Sequence, residues 1–135
     1  MVEDHPFVRE GVIRLINRQT DLCCCGESDT VAMTPAITAR EKPDLILLDL
    51  HLKDGLSLEL IEPLLQEFPS SAVLVLSQSD EVSTAERALR AGARGYVVKK
   101  DATEEVLGAI RDVLRGTVYI SPALATRLVC KLLRS

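Results

Sequence analysis

Residues 44–50, Asp-Leu-Ile-Leu-Leu-Asp-Leu, and residues 72–76, Ala-Val-Leu-Val-Leu, constrain this chain more than any other feature. A strand with one wet face alternates apolar and polar side chains, whereas a parallel strand covered by helices on both faces reads as an almost unbroken apolar run. Both runs therefore predict central strands of a parallel sheet. Parallel neighbours need a crossover connection, usually a helix. Leu58, Ile61, Leu64, Leu65 and Phe68 recur between the runs with helical spacing and supply one.

The same alternation extends in both directions. Phe7, Val8, Val12, Leu15 and Ile16 predict a helix, Leu22 to Cys25 a short strand ending at Gly26, and the stretch between Asp29 and Glu41 a further helix. Val82, Ala85, Ala88 and Leu89 predict a helix ending near Gly92, and Gly95 to Val98 one more strand. Pro35 and Pro63 lack an N–H and are expected to delay or kink their helices. Asp101 with Glu104 reads as a capping-box start for a helix carried by Val106, Leu107, Ile110, Val113 and Leu114 to Gly116. Ser121-Pro122 opens a last helix whose stripe of Leu124, Leu128, Val129 and Leu132 needs a partner surface. Met1-Val2 is the stub of a first strand. Strands alternating with helices in 135 residues predict one α/β domain built on a doubly wound, five-stranded parallel sheet, with an extra helix at the C-terminus. Ligands of such sheets bind beyond the carboxyl ends of the strands.

Charge and composition narrow the function. Sixteen basic against 20 acidic residues, two Phe, two Tyr and no Trp leave neither a phosphate-gripping surface nor a base-stacking platform, so the chain is not expected to bind DNA by itself. Cys23, Cys24 and Cys25 are contiguous and Cys130 stands apart, which fits neither a disulfide framework nor a C-x-x-C metal site. They read as small strand hydrophobes in a reducing compartment. The apolar runs are far shorter than the roughly 20 residues that span a bilayer, and the N-terminus does not resemble a signal peptide. A cytoplasmic protein that does not enter the membrane is expected.

The polar residues at the strand ends carry the chemistry. Asp49, Ser77 and Lys99 end three successive strands, and Glu3 and Asp4 follow the first. Carboxylates crowded at one rim repel unless they share a cation, and oxygen ligands favour a hard divalent ion, expected to be Mg²⁺. Asp49 is then a nucleophile for phosphorus, with Lys99 and Ser77 holding the transferred oxygens, and the expected product is an aspartyl phosphate. Taken singly, Asp49 also reads as a cap or turn residue, Ser77 as a strand terminator and Lys99-Lys100 as a solvated pair.

The segments Val2-Glu3-Asp4-His5-Pro6, Asp44-Leu45-Ile46-Leu47-Leu48-Asp49, Asp54-Gly55, Leu76-Ser77 and Ala91-Gly92-Ala93-Arg94-Gly95-Tyr96-Val97-Val98-Lys99 resemble the receiver domain of bacterial response regulators. The stretches from Glu3 to Gly11 and from Gly116 to Pro122 resemble its NarL/LuxR-type members in particular. The resemblance implies a flavodoxin-like strand order 2-1-3-4-5 with a shortened first strand, a receiver over residues 1–120, and a linker helix over 121–135. That helix would lead toward a DNA-binding output domain absent from this chain.

It also implies that Asp49 accepts a phosphoryl group from a sensor histidine kinase. Glu3, Asp4, Asp49 and the carbonyl of His51 would surround Mg²⁺, Lys99 would contact the phosphoryl group, and Ser77 and Tyr96 would act as switch residues. The alternative for Tyr96 is a plain amphipathic surface aromatic. Homodimerisation on activation and control of transcription follow from the same resemblance. Such a chain assists its own phosphoryl transfer and is not an enzyme. Two rival readings remain at this point. One is an aspartate-nucleophile phosphatase of the haloacid-dehalogenase type, although His51 stands where that family has a second acid. The other is a phosphate-independent pseudo-receiver scaffold.

Overall fold

A computed structural model describes residues 1–134. Its centre is a parallel sheet of four strands in the order β1 (Leu45–Asp49), β4 (Ala72–Ser77), β5 (Gly95–Val98) and β6 (Tyr119–Ile120). A small antiparallel hairpin, β2 (His51–Leu52) with β3 (Gly55–Leu56), follows β1 directly. The helices are α1 (Pro6–Asn17), α2 (Thr34–Glu41), α3 (Ile61–Glu67), α4 (Val82–Arg90), α5 (Ala102–Leu114) and α6 (Pro122–Arg134).

Strand alternation divides the core into two layers. Ile46, Leu48, Val73, Val75, Tyr96 and Val98 face the side covered by Ile61 and Leu64 of α3 and Ala85 and Ala88 of α4. Leu47, Leu74, Leu76 and Val97 face the side covered by Val12 and Ile16 of α1 and Val106, Ala109, Ile110 and Val113 of α5. Both faces of the two apolar runs are thus buried, which is why they carry no polar alternation. Gly95 sits between its neighbouring strands and α5 with no room for a side chain: an added Cβ would stand 2.5 Å from Leu74 Cδ1, 3.1 Å from Val113 Cγ2 and 3.2 Å from the Tyr119 carbonyl oxygen.

The expected five strands are corrected to four. The first strand is a single residue, Val2, bridged in parallel to Leu48 on one side and Ser28 on the other. The strand expected from Leu22 to Cys25 does not form. Its residues alternate between exposed and half-buried as extended backbone does, but with a first strand this short they have no ladder to join. The cysteines are consequently not core hydrophobes, since Cys23 and Cys25 are exposed and Cys24 is half-buried. Where the pairing stops, a cleft of ≈ 370 Å³ opens between residues 22–27 and β1, lined by Leu22, Ile37, Leu45, Leu47 and Ile110 among others.

Pro63 has the expected effect: a 3₁₀ turn, Leu58–Leu60, precedes α3. Pro35 falls in the first turn of α2, where its missing N–H costs nothing. Asp101 makes no side-chain cap at α5, so the expected capping box is not formed. Ser121 does cap α6, accepting the Leu124 N–H at 3.4 Å. The partner surface of α6 is α4: Leu124 is buried, Arg127 Nη1 donates to the Asp80 carbonyl at 3.1 Å, and Lys131 pairs with Glu86 at 2.6 Å. The stripe is covered only at its start, leaving Val129, Leu132 and Leu133 exposed. Ser135, the last residue of the expected linker helix, lies outside the described residues. Among those residues no helix is long and apolar enough to cross a membrane.

Candidate functional site

The sequence puts Asp49 at the last position of β1 because an apolar strand buried on both faces can carry a charge only at its mouth. Even there Asp49 is 2 % exposed and Glu3 is 0 % exposed. Lys99, in the turn directly after β5, reaches between them, with Nζ 2.8 Å from Glu3 Oε1 and 3.0 Å from Asp49 Oδ2. Asp49 Oδ1 accepts the His51 N–H at 3.2 Å. Glu3 Oε1 touches the ammonium but has no hydrogen bond in good geometry; the bond goes to Oε2 at 3.2 Å. That buried carboxylate oxygen is met by the ammonium alone.

The electrostatics follow from that crowding. Burial, with the neighbouring Asp49 carboxylate adding to it, pushes the Glu3 carboxyl up from its ordinary 4.5 to about 7, against the pull of Lys99. Burial alone would lower the Lys99 ammonium, but its bonds to Glu3 and Asp49 outweigh this and raise it. One ammonium serves two buried carboxylates, and Asp4 brings a third. One ligand oxygen each from Glu3, Asp4 and Asp49 lie within 4.8 Å of one another. Three converging carboxylates with one ammonium between two of them leave negative charge on hard oxygen donors, which fits a divalent cation such as Mg²⁺.

The structure therefore brings Glu3, Asp4, Asp49 and Lys99 together. Ser77 is fully buried at the end of β4, but its Oγ accepts the Ser79 N–H at 3.1 Å rather than joining the cluster. Tyr96 is 1 % exposed, which corrects the reading of it as a surface aromatic, and its hydroxyl donates to the Ser79 carbonyl at 2.7 Å. Burial pushes that hydroxyl further up. Ser79 thus ties the two expected switch residues to one loop. The His51 and Gln78 side chains are exposed.

Three further residues support the site and went unread in the sequence. Ser57, fully buried, donates from Oγ to the Asp49 carbonyl. Arg9 Nη1 donates to the Glu3 carbonyl at 2.8 Å, fixing the backbone between the acids. Ser28 sandwiches the stub: the Glu3 N–H donates to its carbonyl at 2.9 Å, and its own N–H donates to the Met1 carbonyl at 3.0 Å. A lone serine or arginine in a loop has no periodicity to betray it; only the Asp-Gly turn next to Ser57 offered a signal.

Comparison with known proteins agrees with this geometry. The response regulator receiver domain family matches residues 1–111. The DNA-binding transcriptional activator DevR/DosR of Mycobacterium tuberculosis is 34% identical over 132 residues, covering 98% of this chain and 61% of that protein. The nitrate/nitrite response regulator protein NarL of Escherichia coli is 32% identical over 132 residues, again 98% of this chain and 61% of the relative. The chain thus spans about three fifths of the length of these relatives. Among solved structures, a LuxR-family two-component response regulator from Aurantimonas sp. SI85-9A1 superposes with a TM-score of 0.90 at 29% identity, covering 98% of this chain and 94% of that one. A buried aspartate at a strand end, a lysine from a later strand and an acidic pair at the first are found here on that fold, and the chain belongs to the response regulator receiver domain family, with NarL/LuxR-type regulators as its relatives.

Proposed function

We propose that this chain is a phosphorylation-dependent signalling module in which Asp49 takes a phosphoryl group from the phosphohistidine of a sensor kinase. The observation that carries the reading is Lys99 Nζ, placed 3.0 Å from Asp49 Oδ2 inside a pocket almost closed to solvent. One carboxylate oxygen of Asp49 attacks phosphorus, an O–P bond forms, and the P–N bond to imidazole breaks with its electron pair returning to nitrogen. The new dianion sits where the Lys99 ammonium already is, so its charge meets a donor held in place beforehand. Glu3, Asp4 and Asp49, with the His51 carbonyl on the family pattern, would hold Mg²⁺, which would supply further neutralisation of the phosphoryl oxygens.

Ser77 then exchanges its bond to the Ser79 N–H for one to a phosphoryl oxygen. Because Ser79 also holds the Tyr96 hydroxyl, the loop between β4 and α4 carries the change outward as a shift between two packings. Residues 1–120 act as the receiver and α6 as the start of a connection to an output domain. On the pattern of the DNA-binding transcriptional activator DevR/DosR, the module would control transcription through a DNA-binding output domain, dimerising on activation in the cytoplasm. The test is incubation with acetyl phosphate and Mg²⁺ followed by intact mass measurement. The wild type gains one phosphate and Asp49→Asn gains none; an equal gain in both refutes the reading.

A further inference from the structure

The acidic pocket is assembled from two arms joined directly only by the one-residue bridge of Val2 to Leu48, in which the Val2 N–H donates to the Leu47 carbonyl at 2.8 Å and the Asp49 N–H to the Val2 carbonyl at 2.9 Å. One arm is the stub with Glu3 and Asp4, held by Ser28. The other leaves β1 through Asp49 and His51 into the β2–β3 hairpin. Away from the pocket, the hairpin tip reaches back to the loop that follows Ser28. Asp54 Oδ1 accepts the Val31 N–H at 2.8 Å and Oδ2 accepts the Ala32 N–H at 3.1 Å. Lys53 Nζ pairs with Asp29 Oδ2 at 2.8 Å across the same gap. A carboxylate using both oxygens on two successive backbone N–H groups is a directional clamp, and these bonds, Val31 first, hold its carboxyl below the usual range.

We infer that Asp54 is a positioning residue for the metal site, stapling the hairpin that starts at His51 to the loop that starts at Ser28 and so reinforcing the single Val2 bridge that sets the separation of the two sets of cation ligands. The inference rests on the proposed Mg²⁺ pocket, not on phosphoryl transfer. Asp54 itself is exposed and belongs to no ligand cluster. It acts through the backbone: Val31 and Ala32 stand three and four residues beyond Ser28, and Asp54 stands three beyond His51. Partners one layer outside a metal's ligands orient them, and their loss typically weakens affinity by about tenfold or more.

The experiment is calorimetric titration of the purified chain with Mg²⁺, alongside acetyl phosphate labelling at graded Mg²⁺. Asp54→Ala is expected to raise the Mg²⁺ dissociation constant by about tenfold. Asp54→Asn, which keeps one carbonyl acceptor, falls between it and the wild type. The Mg²⁺ concentration for half-maximal labelling shifts in step, while the rate at saturating Mg²⁺ falls less than about twofold, as a positioning effect requires. Lys53→Met, which leaves Asp54 intact, shifts affinity in the same direction by less and serves if Asp54→Ala does not fold. Arg111→Ala breaks an exposed ion pair with Asp21 away from the pocket and leaves affinity at the wild-type value. Unchanged Mg²⁺ affinity in the Asp54 and Lys53 variants, an equal shift in Arg111→Ala, or a wild type that binds no Mg²⁺ overturns the inference. A wild type that binds Mg²⁺ tightly, loses it in Asp54→Ala and never gains phosphate leaves the staple standing and refutes the signalling reading.

Discussion

The two halves of the pocket are held by different kinds of structure. Lys99 directly follows β5 and Ser77 ends β4, and these strands pair with each other over four residues and are buried on both faces. Glu3 and Asp4 follow Val2, whose ladder contacts are one bridge to Leu48 and one to Ser28. The first half is positioned by the core of the sheet, the second by point contacts from Ser28, Arg9 and a loop. Rigidity follows the number of cooperative contacts, so the lysine side should be robust and the metal side easily loosened.

The largest effect should come from the group both halves share. Lys99→Ala leaves two buried carboxylates facing each other and should lower unfolding stability by about 3 kcal/mol above neutral pH, as removal of one member of a buried pair does. Labelling by acetyl phosphate should fall to background. Urea titration together with intact mass measures both. A stable, labelled variant would mean that Lys99 does not join the two halves.

Next come substitutions matched in stability but placed in opposite halves. Val2→Ala removes two buried methyl groups and should cost roughly 2 kcal/mol. Gly95→Ala forces Leu74 and Val113 to move and should cost about 1–3 kcal/mol. Only Val2→Ala should raise the Mg²⁺ concentration needed for half-maximal labelling. An equal rise in both would erase the contrast.

A subtler test uses Glu3. It releases its proton near 4.5 when unfolded and near 7 when folded, so the folded chain binds more protons between those values. Stability from protonated Glu3 is complete below 4.5 and is lost as pH rises through about 7. Metal-free protein should therefore unfold at lower urea at pH 8 than at pH 5, and Glu3→Gln should flatten that slope. The smallest effect belongs to neither half: Arg127→Ala removes an exposed bond from α6 to the Asp80 carbonyl and should speed amide exchange in α6 while leaving labelling unchanged.

The same contrast explains how much was legible in the sequence. β1, β4 and β5 announce themselves because burial on both faces makes them continuous apolar runs, and Asp49, Ser77 and Lys99 are then placed simply by ending those runs. The strand expected at Leu22 to Cys25 fails because a strand needs a neighbour, and the shortened first strand, legible at Met1-Val2, offers only the single bridge at Val2. β6 is two residues long, below any detectable period. Ser57, Ser28, Arg9 and Asp54 act through backbone groups of distant loops, a relation that spacing along the chain does not encode. The strand-borne half of the site was readable, and the loop-borne half was readable only for its acids.

The central claim is that the Asp49 carboxylate becomes esterified. Borohydride reduction of the acetyl phosphate-treated chain followed by peptide mass mapping tests it most directly, since reduction converts an aspartyl phosphate to homoserine. The account predicts homoserine at position 49 in the wild type, and none when Mg²⁺ is left out or Lys99 is replaced by alanine. Homoserine at Asp44 or Asp54 instead, or an unreduced Asp49 in a chain that carries phosphate, would contradict it.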